Sequence, residues 1–195
     1  PAYPVYEAGA VFAGGEVVAM PLLPGNDFLP DLEDLKRGVL KRTQLLFLNY
    51  PNNPTATVAT ETFFAQAVEF ARTYDVVLVH DAAYSEMYYD GVQTLSILQT
   101  PGAKEVAVEF HSVSKTYNMT GWRIGFVVGN ADVLSGLGAV KTNVDSGAFQ
   151  AIQEAAVAAL AGDQSCVDEM RSIYERRRDV LVKGLHDIGL KPSRP

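Results

Sequence analysis

Cysteine is almost missing from this sequence. Cys166 stands alone among 195 residues, so no disulfide can form within the chain, which fits a reducing compartment. Basic residues are also scarce: 16 lysines and arginines face 23 aspartates and glutamates, for a net charge of −7. That balance argues against a bulk attraction to nucleic acid. No apolar run is long enough to cross a bilayer. The longest, Phe149 to Leu160, is interrupted by Gln150, Gln153 and Glu154 and falls short of the roughly 20 residues a spanning helix needs. No charged-then-apolar leader is visible, so we expect a cytoplasmic protein, and the Asn118-Met119-Thr120 sequon then reads as chance. Internal repeats and low-complexity tracts are lacking. The sequence opens on Pro1-Ala2-Tyr3-Pro4 without a methionine, and Gly189 and Pro192 mark a boundary shortly before Pro195. We therefore expect an internal piece of a longer chain: one domain over 1–189, incomplete on its N-terminal side, and the start of a second over 190–195.

What is present is ordinary for a globular domain. Hydrophobic residues make up 48% and charged residues 20%, and the length allows one sizeable core. Strand-like and helix-like segments alternate, the pattern of a layered α/β fold with a mostly parallel sheet. Val5 to Phe12 reads as a helix ended by Gly14-Gly15, Glu16 to Pro21 as a short strand, and Leu32 to Val39 as a short helix. Gln44 to Asn49 reads as a strand. Thr60 is the expected N-cap of a helix over 61–74 whose apolar side is Phe63, Phe64, Ala67, Val68, Phe70 and Ala71. Val76 to Val79, Val106 to Phe110 and Ile124 to Val128 read as strands buried on both faces. Helices are expected over 131–140, 149–161 and 164–188. The charged run on the last of these reads as a solvated face.

In open α/β sheets, ligands sit beyond the carboxyl ends of the strands. That rule singles out Asn49 to Thr55, Asp81 to Tyr84 and Ser112 to Lys115. It adds Arg123 if the fourth strand runs antiparallel. Taken singly these residues are unremarkable: Asp81 is a turn former, Lys115 a surface amine, Arg123 a surface ion pair, Asn53-Pro54 a turn, and Ser112 and Ser114 local caps. Together they set a carboxylate, an amine, a guanidinium, hydroxyls and an amide on one sheet edge.

The strings Asn49-Tyr50-Pro51-Asn52-Asn53-Pro54-Thr55, His80-Asp81-Ala82-Ala83-Tyr84 and Ser112-Val113-Ser114-Lys115 through Gly121-Trp122-Arg123-Ile124-Gly125 resemble, in order and spacing, the class I/II aminotransferases of the aspartate-aminotransferase fold type. The resemblance runs from Tyr3 to about Ile188. It implies the large domain of that fold, three layers α/β/α, with pyridoxal 5′-phosphate (PLP) as cofactor and no metal. It makes Lys115 the Schiff-base lysine and proton shuttle, and Asp81 the partner of the pyridine nitrogen. Tyr84 and Asn53 become donors to the phenolic oxygen, and Ser112, Ser114 and Arg123 phosphate ligands. Tyr3 falls where an aromatic ring covers one face of the pyridine, and Ala83 packs from the other side. These types suit the chemistry: a carboxylate favours the protonated ring, which is the better electron sink, and a guanidinium with hydroxyls suits a phosphate.

Within the family, Pro101 to Val106, Glu109 to Ser112, Thr116 to Trp122 and Asn143 to Gly147 resemble the subgroup acting on LL-diaminopimelate. The implied partners are an amino acid, a 2-oxo acid and a second copy of the chain, with neither nucleic acid nor membrane. Thr142, Asn143 and Ser146 are expected on a loop that reaches the neighbouring subunit. The same residues would also serve a carbon–sulfur β-lyase or the aminotransferase-like sensor domain of a transcription regulator. Two departures stand out. Ala56 replaces the glycine that usually follows Asn-Pro-Thr, which is tolerable unless that position needs positive φ. The family's upstream phosphate loop and its downstream substrate-binding arginine are not in this sequence.

Overall fold

Runs of aliphatic residues bounded by turns pair into one sheet in the computed structural model, which describes Pro1–Pro195. Strands β1 (Leu45–Asn49), β2 (Val77–Asp81) and β3 (Ala107–Ser112) are parallel. Strand β4 (Gly125–Gly129) lies beyond β3 and runs antiparallel to it, giving the order β1-β2-β3-β4. Asn49 lies opposite Asp81, Asp81 opposite Phe110, and Ser112 opposite Gly125. The ends of three strands and the start of the fourth therefore share one edge. The helices are α1 (Val5–Phe12), α2 (Arg37–Leu40), α3 (Glu61–Tyr74), α4 (Ala103–Val106), α5 (Val113–Thr116), α6 (Ala131–Val144), α7 (Gln150–Ala161) and α8 (Ser165–Asp187). None is long and apolar enough to cross a membrane.

Helix α3 begins where the Thr60 hydroxyl accepts the Phe63 N–H at 3.1 Å. It ends where Asp75 turns left-handed, at φ 55°. Between them the six expected apolar side chains are all buried, against Leu46, Leu48 and Leu78 of the sheet. Full burial of a large apolar side chain contributes about 1.5–3 kcal/mol, so this layer dominates the core. On the opposite face of β1, Tyr6 of α1 stacks on Phe47 with centroids 5.3 Å apart. Sheet and helices thus form the three expected layers.

Several elements differ from the sequence reading. Glu16 to Pro21 forms no strand, because none of its backbone groups joins a ladder. The helix expected over Leu32 to Val39 shrinks to α2: Asp31 Oδ1 accepts the Glu33 N–H at 2.9 Å, a local turn that competes with helix. Val106 belongs to α4, so β3 starts one residue later. Strand β4 is an edge rather than a doubly buried strand, and Phe126 and Val128 are exposed. Thr142 and Asn143 lie within α6, not on a loop; their side chains bond the carbonyls of Gly138 and Ala139 at 3.0 and 2.8 Å. The charged helix α8 is more than a solvated face. Its Arg178 is buried and forks onto both carboxylate oxygens of Asp90 at 2.7 and 3.0 Å, and Arg171 lies 3.9 Å over the Tyr88 ring.

One ionisable cluster sits inside the core. His80 and Glu109 are register partners on β2 and β3 and are essentially inaccessible to solvent. Glu109 accepts four hydrogen bonds: from His80 Nδ1 at 2.9 Å, and from His111 Nε2, Ser96 Oγ and the Ile97 N–H at 2.8 Å each. Burial by itself would raise this carboxyl. The bonds from His111, His80 and Ser96, with the charge of His80, outweigh it and hold the group well below its ordinary 4.5. A carboxyl depressed by folding contributes stability that is fully present above its unfolded value and is lost as pH falls through the folded one. We therefore expect unfolding free energy to decline steadily below about pH 4.5. Glu109→Gln should be less stable at neutral pH and show a flatter acid limb. Urea unfolding across pH 3–7 checks this, and an acid limb as steep in the variant as in the parent would refute the assignment.

Candidate active site

The shared edge gathers side chains from four segments. Asp81, the last residue of β2, is half-buried. Its Oδ1 accepts the Ala83 N–H at 3.1 Å, and its Oδ2 accepts the Tyr6 hydroxyl at 2.5 Å. Burial, then the bond to Asp81 and its charge, push the Tyr6 phenol far above its ordinary value, so Tyr6 acts as a fixed donor. Tyr84 follows on the same turn. Burial and the charge of Asp81 raise its phenol, and the Asn53 amide works against that rise. Asn53 Nδ2 and Tyr84 Oη are 3.5 Å apart, a spacing that lets two donors converge on one oxygen at the usual ~2.8 Å. Lys115, in the single turn of α5, puts its Nζ 5.8 Å from the centre of the Tyr84 ring.

The loop that carries Asn53 is knitted to β2. Asn49 Nδ2 donates to the Asp81 carbonyl at 2.9 Å, and Asn49 Oδ1 accepts the Asn53 N–H at 2.9 Å. Asn52 Oδ1 takes the Thr55 N–H and hydroxyl. Past β3, Ser112 caps α5: its Oγ accepts the Ser114 N–H at 3.2 Å and keeps its own proton free to donate. Thr120 bonds the Ser114 carbonyl at 3.1 Å, and Arg123 Nη1 bonds the Thr120 carbonyl at 2.8 Å. Arg123 sits two residues before β4, which returns it to this edge as an antiparallel strand should.

The structure therefore brings Lys115, Asp81, Tyr84 and Asn53 together, and it joins Arg123 to Ser112 and Ser114 only through Thr120. Tyr3 is exposed and lies edge-on to Tyr6 at 6.0 Å. Ala83 is held by its N–H on Asp81. Tyr6 was missed from sequence, and Asn49 and Thr120 lie within the motifs read there without a role assigned to them. Tyr6 carried no local signal: it lies on α1, and its partner Asp81 is 75 residues away in sequence.

An α/β core thus presents an amine, a carboxylate and paired amide and phenol donors at one sheet edge, where ligands of open α/β sheets bind. The model of the family "aminotransferase class I and II" matches residues 1–195. The chain is 58% identical to the LL-diaminopimelate aminotransferase of Syntrophobacter fumaroxidans, and 54% identical to that of Moorella thermoacetica, each over 195 residues. Among solved structures it is similar to substrate-bound BacF from Bacillus subtilis, with a TM-score of 0.97 and 39% identity over the whole chain and 50% of that protein. It is also similar to an aspartate aminotransferase mutant from Thermus thermophilus, with a TM-score of 0.91 and 33% identity over 100% of this chain and 51% of that one. This chain belongs to the class I and II aminotransferase family. It spans about half the length of the curated relatives it matches.

Ala56 needs the conformation in question. Its φ is 62°, in the left-handed region, where a Cβ costs about 1–2 kcal/mol. Its N–H still closes on the Asn52 carbonyl at 2.8 Å. We expect Ala56→Gly to stabilise the protein by about 1 kcal/mol by relieving that strain. Urea unfolding of the pair checks it, and a loss of stability would show that the loop does not hold this conformation in solution.

Proposed function

We propose that the full protein is a PLP-dependent aminotransferase moving an amino group from an amino acid to a 2-oxo acid. The observation that carries this reading is the grouping of the Lys115 amine, the Tyr84–Asn53 donor pair and the Asp81 carboxylate on one sheet edge. The donor set fits the cofactor. Asp81 would face the pyridine nitrogen, Tyr84 and Asn53 would donate to the phenolic oxygen, and Ser112, Ser114 and Arg123 would hold the phosphate. Tyr3 and Ala83 would flank the ring. When bound, PLP supplies an aldehyde that condenses with amines and a ring that takes up an electron pair.

The chain's own residues do the rest. Lys115 is the one primary amine in the group. Its Nζ would form the covalent link to the cofactor and, when free, could act as the base that takes the substrate's α proton and as the acid that gives it back. Asp81 would keep the cofactor's ring nitrogen protonated, because opposite charges stabilise each other's ionised forms. Tyr6, through its short bond to Oδ2, fixes the orientation of that carboxylate. LL-diaminopimelate is the amino donor best supported, by 58% and 54% identity to enzymes of that name along the whole chain.

In full-length protein we expect Lys115→Ala to reduce the half-reaction rate by at least about 10³-fold, within the range for loss of a proton-transferring side chain. Stopped-flow spectroscopy measures it, and an unchanged rate would sink the mechanism. Asp81→Ala should slow catalysis far more than it lowers the melting temperature. A half-reaction screen of amino acids, with LL-diaminopimelate included, tests the substrate. Pyruvate and ammonia released without a 2-oxo acid acceptor would identify a β-lyase instead.

A further inference from the structure

The mechanism leaves one buried ionisable pair unused. His80 precedes Asp81 on β2, and its ring lies on the face covered by α3, where Phe64 meets it edge-on at 5.0 Å. Its two nitrogens face two acceptors. Nε2 is 3.0 Å from the Tyr50 carbonyl, and Nδ1 is 2.9 Å from Glu109 Oε2. A carbonyl oxygen can only accept, so Nε2 must carry a proton. Oε2 already takes the Ile97 N–H, and Oε1 takes the Ser96 hydroxyl and His111 Nε2. A carboxyl with three such donors is held as the anion, so Nδ1 must carry a proton as well. A neutral ring would leave a lone pair directed at an oxygen in a site closed to water, a costly arrangement.

The Tyr50 carbonyl is where β1 passes into the loop bearing Asn53. That loop is tied to β2 at two adjacent residues, by the His80 ring on Tyr50 and by the Asn49 amide on the Asp81 carbonyl. We propose that His80 is a positioning residue. Doubly protonated and paired with Glu109, it fixes the Tyr50 carbonyl and so sets the Asn53 amide at its place beside Tyr84. Its role toward the cofactor rests on the function proposed above, whereas its protonation does not.

The test uses full-length protein labelled with ¹⁵N-histidine, with His80→Gln supplying the assignment. At neutral pH, both His80 nitrogens should appear protonated, with and without PLP; one bare nitrogen would overturn the proposal. In PLP-loaded protein, weakening one donor to the phenolic oxygen should raise the pH midpoint of the cofactor's visible absorbance by about one unit. We expect that shift in folded His80→Gln, with kcat reduced more than KM is changed. A folded variant with lower thermal stability and an unmoved midpoint would reduce His80 to a structural role. Glu109→Gln is the second variant: it should strip one proton from His80 and move the midpoint the same way, and a doubly protonated His80 in that variant would refute the pairing. Wild-type protein that takes up no PLP would defeat the functional reading alone, leaving the nitrogen spectrum to decide the ion pair.

Discussion

Glu109 carries a negative charge inside the sheet layer, and much of the site edge is arranged around satisfying it. Removing a carboxylate from water costs several kcal/mol unless donors replace the solvent. Here the four donors come from β2, from β3 itself and from the short turn at Ser96 and Ile97. The requirement to bring them together fixes that turn against the sheet and fixes the ring of His80. His80 then reaches across to the end of β1. A polar cluster beside an otherwise apolar core thus relates segments that hydrophobic contact alone would hold less specifically. Apolar packing between α3 and the sheet supplies the bulk of the stabilisation, and the ion pair supplies orientation.

The parts of the fold that were legible in the sequence are those with redundant signals. Helix α3 has a capping threonine, helical spacing and an acidic first turn, and it forms as read. The parallel strands carry short β-branched and apolar runs bounded by turn residues, a strand signature. Glu16 to Pro21 had only a short apolar run, Val17 to Met20, and such a run does not by itself supply a ladder partner. Leu32 to Val39 had helical composition, but Asp31 offered a competing turn within reach. Thr142 and Asn143 looked like loop formers, yet both satisfy their side chains on carbonyls one turn back, which lets α6 run through them.

The site was legible for a different reason. Asp81, Lys115 and Asn53 lie at or just after strand ends, and Arg123 just before the start of an antiparallel strand, so the strand pattern located the edge before any contact was known. What escaped were residues whose role depends on a partner distant in sequence. Tyr6 matters because α1 crosses Phe47 and delivers its hydroxyl to Asp81. His80 beside Asp81 reads as one more strand residue until Glu109 is found opposite it. Ala56 is visible as a departure from the family pattern, but only the backbone reveals that the position is left-handed.

The antiparallel course of β4 has a consequence for local opening. A parallel fourth strand would start at the opposite edge of the sheet and carry Arg123 away from Lys115. Instead the connection from β3 to β4 leaves and returns at one edge, pinned at its base where Ser112 pairs with Gly125, and carries both. Thr120 stitches its two arms through the Ser114 and Arg123 bonds. Amine and guanidinium therefore belong to one cooperative unit: they are ordered together, and a fluctuation that frees either releases both.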